Sequence, residues 1–242
     1  MSSHPTALLP AFEFRASLQA LQTLLLPASK AQSRAIPVAV HPTGKPDFEL
    51  VEHVGGERSS VETFISERFA ECFGSRIEAF MPRLFSLRNR EGDICGAFGL
   101  RSANRNLFLE QYLDTPIEKT IASHAGAKVE RQTIVEVGHF SGTFPGSARA
   151  MIGLLTQHLH RDGIEWVVFT GTTELRNAFY RLGLCPIDVQ AATADRLPAG
   201  ERAAWGSYYE HGPRVLVGNV LEGYRAMHQP IAPSRLQPEE HA

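Results

Sequence analysis

The sequence predicts an α/β (α+β) fold: a mixed central sheet flanked by helices on both faces. Two observations carry this. Segments with apolar residues at every second position alternate with segments at helical spacing, in the order βαββ–α–βαβαβ, which a layered sheet-and-helix architecture requires. In addition, Ile164–Thr170 is nearly all apolar (Trp166, Val167, Val168, Phe169), as suits an interior strand covered on both faces.

The elements follow in chain order. Frequent prolines (Pro5, Pro10, Pro27, Pro37, Pro42, Pro46) interrupt the first stretch, so residues 1–45 read as an N-terminal arm with one short helix at Ala16–Leu26. The folded domain is expected over 46–226, with a C-terminal tail over 227–242. Phe48–Val54 alternates as a half-buried strand, and Gly55-Gly56 turns the chain. Ser59 or Ser60 is then placed to cap a helix whose apolar stripe is Val61, Phe64, Ile65, Phe69 and Cys72/Phe73. Leu84–Asn89 and Ile94–Leu100 form a hairpin across Arg90-Glu91-Gly92-Asp93. A short helical region covers Phe108–Leu113 and Pro116–Ala125, and a strand covers Thr133–His139. A loop is expected over Phe140–Gly146, and Ser147–Arg161 is an amphipathic helix closed by Asp162-Gly163. After the apolar strand, Thr172 or Thr173 caps a helix to about Leu182, with Gly183 just beyond its end. Pro186–Gln190 and Arg214–Val220 are a final strand pair.

Composition narrows the function classes. The chain has 242 residues, 43% hydrophobic and 21% charged, with 24 Lys+Arg against 26 Asp+Glu. A net charge of −2 gives no electrostatic footprint for nucleic acid. Three cysteines (Cys72, Cys95, Cys185) without a CxxC pair indicate a reducing compartment. No basic-then-apolar leader and no apolar run of about 20 residues is present, so no transmembrane segment is expected and a cytoplasmic protein is the default. His158 and His160 are two apart on a helix and do not share a face, so no metal is expected. There is no G-x-S-x-G elbow either.

Several residues stand out chemically. Glu136 lies mid-strand on one face with Ile134 and Gly138; partial desolvation would raise its pKa toward the range of a general base, although an ion-paired glutamate has the same pattern. His139 is expected on the opposite face, as a second base or a satisfied histidine. Glu110 lies in a segment that would cover the cleft, either to hold an amine or as a solvated carboxylate. Trp205, Tyr208 and Tyr209 cluster as the wall of an apolar tunnel or as plain core. The helix beginning at Ser147 offers unpaired N–H groups and about half a positive charge, with Gly142 and Gly146 permitting close backbone approach and Arg149 adding a cation.

The layout from Ile134 to Leu184, closing in "NAFYRLGL", resembles the GNAT acyltransferase superfamily. The segments "LFLEQYLDTPIEKTIA", "IVEVGHFSG", "WVVFTGTTELRNAFYRLGL" and "WGSYYEHGPRVLVGNV" are together similar to the bacterial thermostable hemolysin family, over roughly residues 48–222. In layout the chain is similar to acyl-homoserine-lactone synthases, whose strand motif Glu-Ile-Ser-Arg-Phe is matched by Glu136-Val137-Gly138-His139-Phe140, with histidine where that family has arginine.

The resemblance implies an N-acyltransferase that moves an acyl group from acyl-CoA or an acyl carrier protein's acyl-phosphopantetheine to a small amine or amino-acid-derived acceptor. Glu136 would be the base, with His139 beside it, and backbone near Gly138 would polarise the thioester carbonyl. Gly142, Gly146, Ser147, Ala148 and Arg149 would hold the donor's phosphate, Asn177 its pantetheine arm, and Phe140 with Trp205 and Tyr208 the acyl chain. Glu110 would meet the acceptor. The superfamily's thiolate-protonating tyrosine aligns with Phe179, one residue before Tyr180, and one step on a helix turns a side chain by about 100°. Two other classes stand against the enzyme: a membrane-active haemolysin that binds lipid, and a catalytically silent acyl-thioester sensor.

Overall fold

The structure is a computed structural model that describes residues 47–53, 58–144 and 146–228. The N-terminal arm with its Ala16–Leu26 helix, the Gly55-Gly56 turn and the tail from 229 onward lie outside the described residues.

Seven strands form one sheet: β1 (Glu49–His53), β2 (Arg83–Arg88), β3 (Ile94–Ser102), β4 (Ile134–Gly142), β5 (Trp166–Gly171), β6 (Ile187–Ala191) and β7 (Arg214–Asn219). Their spatial order is β1-β2-β3-β4-β5-β7-β6, and every neighbouring pair is antiparallel except β4 and β5. Five α-helices accompany them: α1 (Ser59–Phe73), α2 (Ile117–Ala125), α3 (Ser147–Arg161), α4 (Thr173–Arg181) and α5 (Val220–His228). The mixed sheet with helices on both faces is the expected class.

Alternation on the strands sends side chains to two cores. Phe85, Phe98, Leu100, Val135, Val137 and Phe169 meet α3 through Met151, Leu155 and Leu159. On the other face Leu84, Ala97 and Met81 meet α1 through Val61, Ile65 and Phe69. Ile134, Val168 and Val217 are covered there by Leu109, Tyr112, Ile117 and Ile121 of the 3₁₀ turn Phe108–Tyr112 and α2. The face toward α1 is lined by small residues: a Cβ on Gly99 or Gly138 would lie 2.4 Å from atoms of Met81, whose thioether fills that space.

Three local expectations are corrected. Neither Ser59 nor Ser60 caps α1; both lie inside it, and Arg58 at its start donates to the carbonyls of Met81 and Pro82 instead. β4 continues through Phe140 to Gly142, because β3 goes on pairing with it as far as Gly96. The last strand stops at Asn219, whose side chain accepts the Glu222 N–H at 3.0 Å and starts α5, so Val220 is helical. By contrast Thr172 caps α4 as expected, accepting from the Leu175 N–H, and Gly183 follows that helix with a φ of 75°.

The stretch 202–211 is sewn to the end of α1. The Phe73 carbonyl accepts the Ser207 N–H and hydroxyl, and the Ser75 hydroxyl donates to the Trp205 carbonyl. Gly206, at φ 52°, lies so close that a Cβ would sit 2.1 Å from the Phe73 oxygen. Gly206→Ala should therefore cost at least about 2 kcal/mol and lower the melting temperature by about 4–8 °C, readable by differential scanning calorimetry.

Candidate functional site

The site is built where the one parallel strand pair comes apart. β4 and β5 pair over Ile134–Val137 against Trp166–Phe169. Beyond that, β4 continues with β3 alone to Gly142, and β5 continues with β7 alone to Gly171. The parting coincides with a β-bulge. Gly99 opposes Gly138 and Ala97 opposes Ser141, so His139 and Phe140 together face Phe98. His139 absorbs the extra residue at φ 56°, the one described non-glycine residue with positive φ. The backbone from Gly138 onward thus has no β5 partner and borders a wedge between the strands.

The bulge also corrects the expected placement of His139. Its ring turns to the same face as Glu136, lying 6.2 Å from the Phe69 ring and 5.6 Å from the Phe80 ring. Nδ1 is buried without a hydrogen-bond partner. Burial, with a lesser contribution from the nearby Arg101 cation, pushes the imidazole down to about 4, so the ring is neutral and keeps a lone pair at physiological pH. Phe140 goes the other way and stacks on Phe98 at 6.4 Å, on the α3 side.

Glu136 is 2% exposed, and burial pushes its carboxyl above the ordinary range. Both oxygens are nevertheless occupied, one accepting the Phe108 N–H and the other the Leu109 N–H, each at 2.9 Å. These amides begin the 3₁₀ turn, so the carboxylate tethers that turn to the sheet. Glu110 is more completely used. Its oxygens accept both terminal nitrogens of Arg131, at 2.6 and 2.8 Å, and the N–H groups of Leu107 and Ile117 at 3.1 Å. Neither the amine-holding nor the solvated reading of Glu110 survives: its lone pairs are spent on a clasp that closes the 107–117 segment, and Arg131 beside it holds its carboxyl down to about 2.

At the far end of β4 the chain enters α3. The Ser147 N–H and hydroxyl both donate to the Phe144 carbonyl, at 3.0 and 2.7 Å, closing the turn. A Cβ on Gly142 would fall 2.1 Å from the Ser147 hydroxyl, so a larger residue there would turn that hydroxyl off the Phe144 carbonyl. Gly146 occupies the N-cap position, Ala148 is half-buried and Arg149 is exposed in the first turn. Exposed Phe144 stacks on Phe48 at 5.7 Å.

On α4, Phe179 packs on Phe169 at 5.0 Å, whereas Tyr180 is 53% exposed. Asn177 is half-buried two residues earlier. The aromatic cluster is core that borders the wedge: Tyr208 is buried, donates to the Thr170 hydroxyl of β5 at 3.4 Å, and meets Phe73 and Trp205, each at 5.2 Å. Tyr112 and Tyr209 share a hydrogen bond of 2.6 Å, and Trp205 lies 5.6 Å from Phe108.

Glu136, Gly138 and His139 therefore share one face of β4 at the parting, Tyr208 with Trp205 packs beside the β5 end, Phe140 lies on the opposite face, and Gly142–Arg149 follow at the end of the same strand. Glu110 is drawn into the tether and Tyr180 is left outside. Sequence reasoning missed Met81 and Arg101. The latter was detectable, as Ala97, Gly99 and Arg101 alternate on β3 and put a lone cation on a face of small residues.

A profile of the thermostable hemolysin family matches residues 51–224. The chain belongs to the thermostable hemolysin family. No curated protein sequence matches it. Among solved structures, FeeM, an N-acyl amino acid synthase from uncultured soil microbes, is similar with a TM-score of 0.51 at 14% identity, over 73% of this chain and 92% of that one. The AHL synthase LasI is similar with a TM-score of 0.53 at 11% identity, over 76% and 95% of the two chains. This thermostable hemolysin family member thus shares its fold with these two synthases, as the resemblance in its sequence implies. No described helix is long and apolar enough to cross a membrane.

A pH experiment checks the Glu110 clasp. Because the folded carboxyl is depressed, its contribution to stability is present above the unfolded value of about 4.5 and is lost as pH falls toward about 2. Glu110→Gln should melt below the parent at neutral pH, and the difference should close across that window.

Proposed function

We propose that this chain is an N-acyltransferase, taking an acyl group from acyl-CoA or from an acyl carrier protein's acyl-phosphopantetheine and passing it to a small amine or amino-acid-derived acceptor. The observation that carries the reading is the wedge: a parallel pair opened by a bulge, with unpaired strand backbone along one side and a helix N-terminus at its end. Such backbone offers ladder hydrogen bonds to an extended amide-containing arm, and the first turn of α3 favours the arm's phosphate. Backbone N–H groups near Gly138 that face away from β3 would stabilise negative charge on a thioester oxygen. The amine nitrogen then attacks the carbonyl carbon, the C–N bond forms, and the C–S bond breaks to release thiolate. A proton leaves the amine for His139 Nδ1 and passes to the thiolate through the ring or solvent. Glu136, with both oxygens held by amides, positions the turn that covers the site. Cysteines free of disulfides are consistent with work in the cytoplasm.

A second reading, a thioester sensor without turnover, draws on one observation: a phenylalanine, Phe179, stands where the superfamily's thiolate acid is expected, and Tyr180 faces solvent. The test is thiol release from acyl-CoA or acylated carrier protein in the presence of amines. His139→Gln should lower turnover by about 10²–10⁴-fold, and Tyr180→Phe should leave it within about twofold. Donor binding without thiol release would favour the sensor, and dye leakage from liposomes without donor would favour direct membrane action.

A further inference from the structure

A cleft of about 240 Å³ is lined by Phe80, Pro82, Arg101, Arg105 and Asn106. Arg101 stands directly opposite Glu136 in the β3–β4 ladder, half-buried, and its charge is felt by both Glu136 and His139. The nearby acids are already spent. Glu110 and Glu118 pair with Arg131, and Glu136 holds the amides of Phe108 and Leu109. Among the described residues neither Arg101 nor Arg105 has a carboxylate within ion-pair distance. Two guanidinium groups, neither of them facing a carboxylate among the described residues and one of them half-buried, therefore line a single concavity. A buried cation is costly unless an anion meets it, and guanidinium matches a carboxylate with two parallel hydrogen bonds.

We propose that this cleft takes the carboxylate of an α-amino-acid acceptor, held by Arg101 and Arg105. Asn106 supplies a further polar contact, and Phe80 and Pro82 wall the side chain. Its volume accommodates one amino acid. Phe80 lines the cleft and also packs on the His139 ring, so one side chain separates an anchored acceptor from that imidazole, and movement of Phe80 would bring the amine toward it. The arginine charges further disfavour an ammonium relative to the free amine, the form able to attack. The amine's role rests on the acyltransferase reading above; the carboxylate site does not.

The experiment uses matched pairs: leucine and isoamylamine, phenylalanine and phenethylamine, tyrosine and tyramine. Each is measured for binding to the full chain by calorimetry and as acceptor by thiol release from acyl-CoA and acylated carrier protein. The expected result is a KM at least about tenfold lower for the acid of a pair. Arg101→Gln and Arg105→Gln should each raise that KM by about 10–100-fold, with kcat changed much less and the KM of the matched amine changed by no more than about threefold. Arg105 is exposed, so its variant keeps the test open if Arg101→Gln unfolds. Equal use of acid and amine, unaffected by either substitution, overturns the carboxylate site and leaves the acyltransferase standing. Amino-acid binding that is lost in Arg105→Gln, with no thiol released from either donor, keeps the site and overturns the transferase. Absence of both binding and transfer overturns the two together.

Discussion

A carboxylate almost shut off from water is the constraint around which this molecule is arranged. Glu136 lies in the middle of β4, and an isolated buried charge there would be prohibitive. It is tolerated because the chain brings the first two amides of a 3₁₀ turn down onto it, one for each oxygen. That fixes where residues 107–117 lie, and Glu110 with Arg131 locks the same stretch from the outer side. The covering layer over Ile134 and Val168 is thereby held by charge-assisted hydrogen bonds as well as apolar contact. Tyr112 and Phe108 carry the attachment onward to Tyr209 and Trp205.

The other half of the design is the departure from regular pairing three residues later. A positive φ at a histidine is strained, and it persists because the surroundings over-determine it. Phe69 and Phe80 hold the ring, while Phe140, sent to the opposite face, is held by Phe98. Glycine at 99 and 138 leaves room for Met81 to pack across the two strands. One inserted residue thus brings Glu136 and His139 to the same side and opens the wedge.

Periodicity exposed most of this framework. The strands, α3 from Ser147 to Arg161, and the Thr172 and Gly183 ends of α4 follow from spacing and end chemistry that act within one turn of chain. What escaped depends on partners far away in sequence. Strict alternation put His139 on the wrong face, because a bulge is defined by what lies opposite, here Phe98. Glu110 looked like a free carboxylate until Arg131, 21 residues on, was placed beside it. The first residue of α5, Val220, read as strand because it follows Val215, Leu216 and Val217 with the same strand signal, and only the Asn219 side chain turning to the Glu222 amide ends it. Arg101 had a readable signal in the alternation of β3, but its significance needed the register against Glu136. The aromatic residues illustrate the reverse: Trp205 and Tyr208 were marked as one cluster by proximity in sequence, and they are one cluster in space.

The joint between β4 and β5 has only four residue pairs. On one side of it lie β1 to β4, on the other β5, β7 and β6, and each set is continuous in sequence. The sheet is consequently two nearly self-contained panels sharing a short edge, with α3 lying across the seam as a brace. Mechanically, this short parallel seam is also the line along which the candidate site is laid out. Small rotations between the panels alter the width of that opening while the ladders inside each panel stay intact.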